Sequence, residues 1–217
     1  MSGRDETEAP PRKQSRSARR TQLIEATIEV LAQRGYARIT LTEVANRAGL
    51  SHGLVNFHFK SKELLLAETL NHLYGEYRRN WVTALEQAGP SAPEQLDALI
   101  KADFRPEICT PARLAAWCSF WGEATSRPLY QEKCGPSDDE YILRMEDICA
   151  RLLSGHGYSG RADRIARVIR LTTEGTWMDM MTQSTPYSRQ EALQTVYCAA
   201  AAFFPGHFGK GGLSQPT

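Results

Sequence analysis

The sequence predicts an all-α protein, with an N-terminal three-helix bundle that holds a helix-turn-helix and a larger helical domain after it. Three observations carry this. Apolar residues recur every three or four positions in successive segments, and those segments are punctuated by Ser or Thr caps, glycines and prolines. No alternating strand pattern exceeds a few residues. Thr40 to Lys62 contains two short helical patterns separated by a tight turn.

Residues 1–16 read as a disordered basic tail, polar and interrupted by Pro10 and Pro11. Arg12, Lys13, Arg16, Arg19 and Arg20 follow with no acid among them. They suit either a solvated helix start or an arm that contacts phosphate or the minor groove. A first helix is expected over 17–34, with Leu23, Ile24, Thr27, Ile28 and Leu31 on one face and Gly35 as its stop. Thr40 and Glu43 form a capping box for the next helix, which Leu41, Val44, Ala45 and Ala48 mark by their spacing. Gly49 ends it, and Ser51 caps a short helix over 52–58. The outer face of that short helix carries His52, Gly53, Asn56 and Phe57. Such a face fits a major groove, though an ordinary helical hairpin has the same spacing.

Ser61 caps a long helix over 62–87 whose apolar stripe runs from Leu66, Leu70 and Leu73 into Tyr74, Tyr77 and Trp81. The aromatic end lies beyond the bundle and should face a second domain. After a Gly-Pro break, helices are expected at 93–104, 111–126, 137–153, 161–183 and 188–204. Pro111 at a first helical position and a Ser137–Glu140 capping box set two of these starts. The Gly-rich segment 205–217 reads as a flexible tail.

Composition excludes several classes. In 217 residues, 41% are hydrophobic and 24% charged, which is ordinary for a globular protein. No apolar run approaches the roughly 18 residues of a membrane span, and the polar start is not a secretory signal. A cytoplasmic protein is expected. The net charge of +1 hides an asymmetry: residues 1–60 carry ten Lys or Arg against six Asp or Glu, and residues 61–217 carry sixteen against nineteen. The basic half holds the helix-turn-helix, as phosphate neutralisation requires. The five cysteines have no zinc-ligand or C-x-x-C spacing, so they read as small core residues, with a redox sensor as the alternative. Neither a metal nor a cofactor is expected.

Thr40, Glu43, Val44, Ala45, Ala48, Gly49, Ser51, Gly53, Phe59, Lys62, Glu63, Leu64 and Leu65 resemble the DNA-binding motif of the TetR family of bacterial repressors. Leu23, Ile24, Ala26, Ala32, Gly35 and Tyr36 extend the resemblance into the preceding helix, so that it spans roughly 17–76. It implies a DNA-binding domain there and a regulatory domain over 77–204. Thr40 and Lys62 are then expected on phosphate, and His52, Leu54 and Phe57 on base edges. Thr42, Ser51, Gly53, Asn56 and His58 belong to the same candidate surface. Many family members have a Tyr where this chain has Asn56. The BetI-type branch, repressors of choline-to-betaine genes, resembles this chain in its small polar residue there.

Trp117, Phe120 and Trp121 share one helical face, and Glu174 and Trp177 share another. Aromatic faces with a carboxylate suit a quaternary ammonium, each ring contributing roughly 0.5–2 kcal/mol once desolvated. The same stripe also suits plain core, with Glu174 paired to Arg170 one turn before it. Ala116-Trp117, Phe120-Trp121 and Glu174-Gly175 before Trp177 resemble the BetI-type ligand domain, which implies a choline-like effector. Tyr77, Trp81, Trp117, Phe120, Trp121, Glu174 and Trp177 are the candidate ligand residues.

The expected function is a ligand-responsive repressor on a palindromic double-stranded operator. A multidrug-type repressor for lipophilic cations is the alternative. An enzyme is the weaker reading, since the sequence has no catalytic motif, phosphate loop or metal spacing. A homodimer is expected through the last two long helices, from Ile165, Val168, Ile169 and Thr172 with Cys198 to Phe204.

Overall fold

A computed structural model of the chain describes residues 15–122, 127–185 and 187–214. The expected tail over 1–16 therefore lies almost wholly outside the described residues. The described chain runs α1 (Arg16–Arg34), α2 (Leu41–Ala48), α3 (His52–His58), α4 (Lys62–Gln87), α5 (Ala92–Asp103), α6 (Pro111–Gly122), α7 (Arg127–His156), α8 (Ala162–Thr182) and α9 (Arg189–Phe203). A hairpin of two short strands follows, β1 (Phe208–Gly209) and β2 (Gly212–Leu213).

Local chemistry sets most boundaries. Ser15, Thr40, Ser51, Ser61, Ser91 and Ser188 each accept a backbone N–H at a helix start. Three of these starts are full capping boxes, at Thr40–Glu43, Ser91–Glu94 and Ser188–Glu191. Gly49 ends α2 at φ 65°, a left-handed conformation that a side chain would strain, and so turns the chain toward α3.

Two apolar cores share α4 and α6. The first joins α1 to α3 with Leu65, Leu66, Leu70 and Leu73 of α4 and takes in Ala116, Trp117 and Phe120 of α6. The second is built from α4, α5, α6, α7, α8 and α9 around Trp81, Leu99, Leu114, Met145, Leu152, Ile169 and Tyr197. Tyr77 and Trp121 pack against both.

Three expectations are corrected. Helix α7 begins at Arg127, so the Ser137–Glu140 motif lies inside a helix; Glu140 instead receives two hydrogen bonds from Arg78 of α4, at 2.8 and 3.0 Å. Packing against α4, α5 and α8 extends the helix past that local start signal. The segment after Pro205 is not a loose tail up to Ser214. Phe208 is buried and stacks on Tyr197, and a Cβ at Gly212 would meet the Tyr197 ring at 3.0–3.2 Å. Ile165 and Ile169 face the protomer's own core, and the exposed apolar residues of α8 are Val168, Leu171 and Met178. The end of the helix expected over 111–126 lies outside the described residues beyond Gly122. Cys109 and Cys149 are buried, which pushes their thiols up to about 11 and about 12. Both are therefore poor redox centres.

Candidate DNA-binding surface and ligand cavity

Helix α3 lies on the surface of the N-terminal bundle, anchored by Val55, His58 and Phe59. His52, Gly53, Asn56 and Phe57 are exposed, as are Thr40, Thr42 and Ser51, while Leu54 is half-buried. Phe57 is 64% exposed, a large apolar ring left in water by its own chain. Asn56 and His52 hydrogen-bond each other at 3.1 Å one turn apart. No atom lies within 4 Å of a Cβ built on Gly53, so its missing side chain serves no packing inside the protein. Arg16 sits over the Phe57 ring, 5.6 Å from its centroid, and brings the basic start of α1 to α3.

Three residues of this surface have other work. His58 turns inward at the end of α3 and is buried; burial, and then Arg16, Arg20 and Arg19, lower its pKa. Thr40 closes the α2 capping box, so a loss there acts on the fold. Lys62 is half-buried at the start of α4, and its Nζ donates to the Ala37 carbonyl at 3.2 Å.

The second site is a cavity of about 300 Å³ enclosed by α4, α6, α7, α8 and the end of α5. Trp117 and Trp121 stack at 6.0 Å, and Tyr77 meets Trp117 and Trp177 edge-on at 6.4 and 6.0 Å. Tyr74 adds a further edge-on contact to Trp117 at 6.1 Å. The volume is at the small end for ligand pockets, which suits a compact head group.

The polar lining is acidic. Asp103, Asp138 and Glu174 reach the cavity, against one cation, Arg170. Asp103 is 1% exposed and accepts from the Tyr77 hydroxyl at 3.0 Å and the Tyr141 hydroxyl at 3.1 Å. Burial pushes its carboxyl up to about 7 in spite of those two donors. Burial also raises Glu174, with Arg170 one turn before it pulling the other way through a direct hydrogen bond. Asp138 accepts from the Tyr74 hydroxyl at 2.8 Å.

Tyr77, Trp117, Trp121, Glu174 and Trp177 thus come together around one space. Trp81 and Phe120 do not. Trp81 is one turn beyond Tyr77, about 6 Å further along α4, and packs edge-on against Tyr141 in the core. Phe120 stands about 100° around α6 from Trp121 and packs on Tyr36 of the N-terminal bundle. Asp103, Asp138 and Tyr141 also line the cavity, as do Tyr74, expected only in the apolar stripe, and Arg170, expected only as a partner for Glu174. No local signal marks them, because the packing of α5 and α7 brings them to the cavity.

Comparison with known proteins decides the family. Residues 23–69 match the family of bacterial regulatory proteins of the tetR type, and residues 92–205 match the C-terminal domain of BetI-type transcriptional repressors. The chain belongs to the BetI-type branch of the TetR family. It is 30% identical over 178 residues to the HTH-type transcriptional regulator BetI of Rhizobium meliloti, covering 78% of this chain and 81% of that protein. The Escherichia coli O157:H7 BetI is 32% identical over 182 residues, covering 82% and 90%. Among solved structures, a putative transcriptional regulator from Pseudomonas aeruginosa PAO1 superposes with TM-score 0.74 at 25% identity, covering 89% and 94%. One from Saccharomonospora viridis, crystallised in complex with choline, superposes with TM-score 0.73 at 19% identity over 92% and 100%, a likeness of fold. The protein is a transcriptional regulator, and no described helix is long and apolar enough to cross a membrane.

An ionic cluster joins the two parts of this BetI-type chain. Arg113 of α6 donates to Glu76 of α4 at 2.9 and 3.0 Å and to Glu25 of α1 at 3.2 and 3.3 Å. His72 sits between the same carboxylates, 3.0 Å from Glu25 and 3.3 Å from Glu76. Hydrogen bonds that His72 donates to Glu25 and then Glu76 raise it to about 9. Burial works against ionised Glu76, but His72 and Arg113 outweigh it and hold that carboxyl at about 2. Glu25, His72 and Glu76 have the spacing of a metal site, their ligand atoms lying within 4.8 Å of one another. Arg113 and the imidazolium already neutralise both carboxylates, so the cluster is complete without an ion.

Proposed function

We propose that this regulator is a repressor that senses a small quaternary ammonium compound of the choline class and binds a palindromic operator as a two-fold dimer. The observation that carries the effector reading is the cavity itself, where aromatic rings from four helices surround a space lined by more acids than bases. A trimethylammonium group donates no classical hydrogen bond, so ring faces and carboxylates are the groups that recognise it. The choline complex of the Saccharomonospora viridis regulator, which shares this fold, supports the same class. The modest volume favours one small cation over the varied bulky cations of a multidrug sensor.

Helix α6 supplies the route to DNA. Its Trp117 and Trp121 line the cavity, its Phe120 packs on Tyr36, and its Arg113 holds Glu25 of α1. A ligand that shifts α6 therefore acts on the DNA-binding bundle through both apolar and ionic contacts. A switch needs the effector to prefer one arrangement by about 1–3 kcal/mol. The dimer reading rests on Val168, Leu171 and Met178, exposed on α8, and on Cys198 and Ala202, exposed on α9, which packs against α8. Small residues there permit close helix approach.

The test is operator binding by fluorescence anisotropy with and without choline, on wild type and Trp117→Ala. The expected result is a 5- to 150-fold choline effect on wild-type operator affinity. In Trp117→Ala, losing one ring should weaken choline binding by about 2- to 30-fold. An operator affinity that ignores choline and other quaternary amines would end this reading.

A further inference from the structure

The cavity contains three carboxylates, and they are not equivalent. Glu174 is already paired with Arg170 on its own helix. Asp138 lies in the half-buried part of the wall and takes the Tyr74 hydroxyl. Asp103 alone of the three is fully buried with no cation in contact among the described residues; its two partners are neutral hydroxyls that themselves line the cavity. A buried carboxylate beside neutral donors carries an unbalanced charge, and such a charge is costly until a cation arrives.

We propose that Asp103, presented by the Tyr77 and Tyr141 hydroxyls, is the residue that selects a permanently cationic effector, and that binding drives a proton from its carboxyl group into solvent. This rests on the quaternary-ammonium reading of the same cavity.

The surroundings of Asp103 support both halves. From α4 it meets Tyr77, and from α7 it meets Tyr141, whose phenols burial keeps un-ionised. From α8 it feels the Glu174 charge, which disfavours its ionised form and is itself offset by Arg170. Helix α6 contributes the uncharged rings of Trp117 and Trp121. Nearby on the chain, Lys101 is engaged by Asp97, and Arg105 donates to Asn80. The Cys109 thiol is held up at about 11, so it stays neutral. No described group therefore neutralises Asp103, and its carboxyl sits near 7, poised between its two forms. A cation in the cage favours the ionised form, and by linkage the ionised form favours the cation.

The size follows from that linkage. A charge within about 4–6 Å of a carboxylate changes its ionisation constant by about 10- to 1,000-fold, and the ionised and neutral forms must differ in cation affinity by the same factor. Asp103→Asn imitates the neutral form. A zwitterion such as glycine betaine brings its own carboxylate against Asp103, so it should bind more weakly than choline, and Asp103→Asn should narrow that gap.

The experiment is calorimetric titration of choline and glycine betaine into the full chain at pH 6 and pH 8, in buffers of different ionisation enthalpy. Wild type should bind choline about tenfold more tightly at pH 8 than at pH 6 and release a proton. Asp103→Asn should bind choline about 10- to 1,000-fold more weakly at pH 8 and lose the pH dependence, whereas Glu174→Gln should retain it. If Asp103→Asn does not fold, Tyr141→Phe carries the test: losing a donor to the carboxylate should move the wild-type pH midpoint upward, and an unmoved midpoint overturns the assignment. Choline affinity and pH profile unchanged in Asp103→Asn overturn it alone. Wild type that binds no quaternary amine overturns the effector reading and this assignment together.

Discussion

Replacing His72 by Gln tests the ionic cluster that joins α1, α4 and α6. In the wild type the imidazole is gripped by Glu25 and Glu76 and titrates near 9 instead of 6.5. A folded-state value above the unfolded one means that the imidazolium stabilises the fold, fully so below about pH 6.5. That contribution is lost as the pH rises through about 9. The difference corresponds to roughly 3 kcal/mol, reduced to about 2–3 kcal/mol because the His72 side chain is 22% exposed. Glu76 has the opposite sign: its depressed carboxyl stabilises above pH 4.5 and loses that as the pH falls through about 2. Between pH 5 and pH 6.5 both contributions are present. Thermal unfolding of wild type and His72→Gln at equal protein concentration reads this directly. At pH 6 the variant should melt about 4–12 °C lower, using about 2–4 °C per kcal/mol for a chain of this size. At pH 10 the two melting temperatures should nearly coincide. A gap that stays constant from pH 6 to pH 10 would refute the charge argument and leave His72 as a packing residue.

Two further outcomes concern DNA binding and assembly. Lys62→Ala should weaken binding on every sequence and flatten the salt dependence by about one unit per half-site; an unchanged salt slope would remove Lys62 from the phosphate contacts. Leu171→Glu should give a monomer in analytical ultracentrifugation and abolish tight operator binding, since each exposed Leu buried at an interface contributes about 1.5–3 kcal/mol and a two-fold axis counts it twice. A dimer of unchanged strength would move the interface away from α8.

The residues determine the N-terminal part almost locally. Thr40 with Glu43, Gly49 and Ser51 fix two helices and the turn between them within a dozen residues, because each cap and each left-handed glycine acts on its own turn of backbone. The Trp117–Trp121 and Glu174–Trp177 pairs were legible for the same reason, as neighbours on a helix share a face whatever lies opposite. What lies opposite was not legible. Asp103 ends α5, and Tyr141 is 38 residues further on in the middle of α7, yet their side chains meet at 3.1 Å. Phe120 and Trp121 are adjacent in sequence, yet one packs on Tyr36 and the other faces the cavity. Helix α7 runs through a sound capping motif because its packing against α4, α5 and α8 outweighs that local start signal. Periodicity gives a helix its faces, but only the packing of whole helices assigns each face a neighbour, and the charge balance of the cavity follows from that assignment.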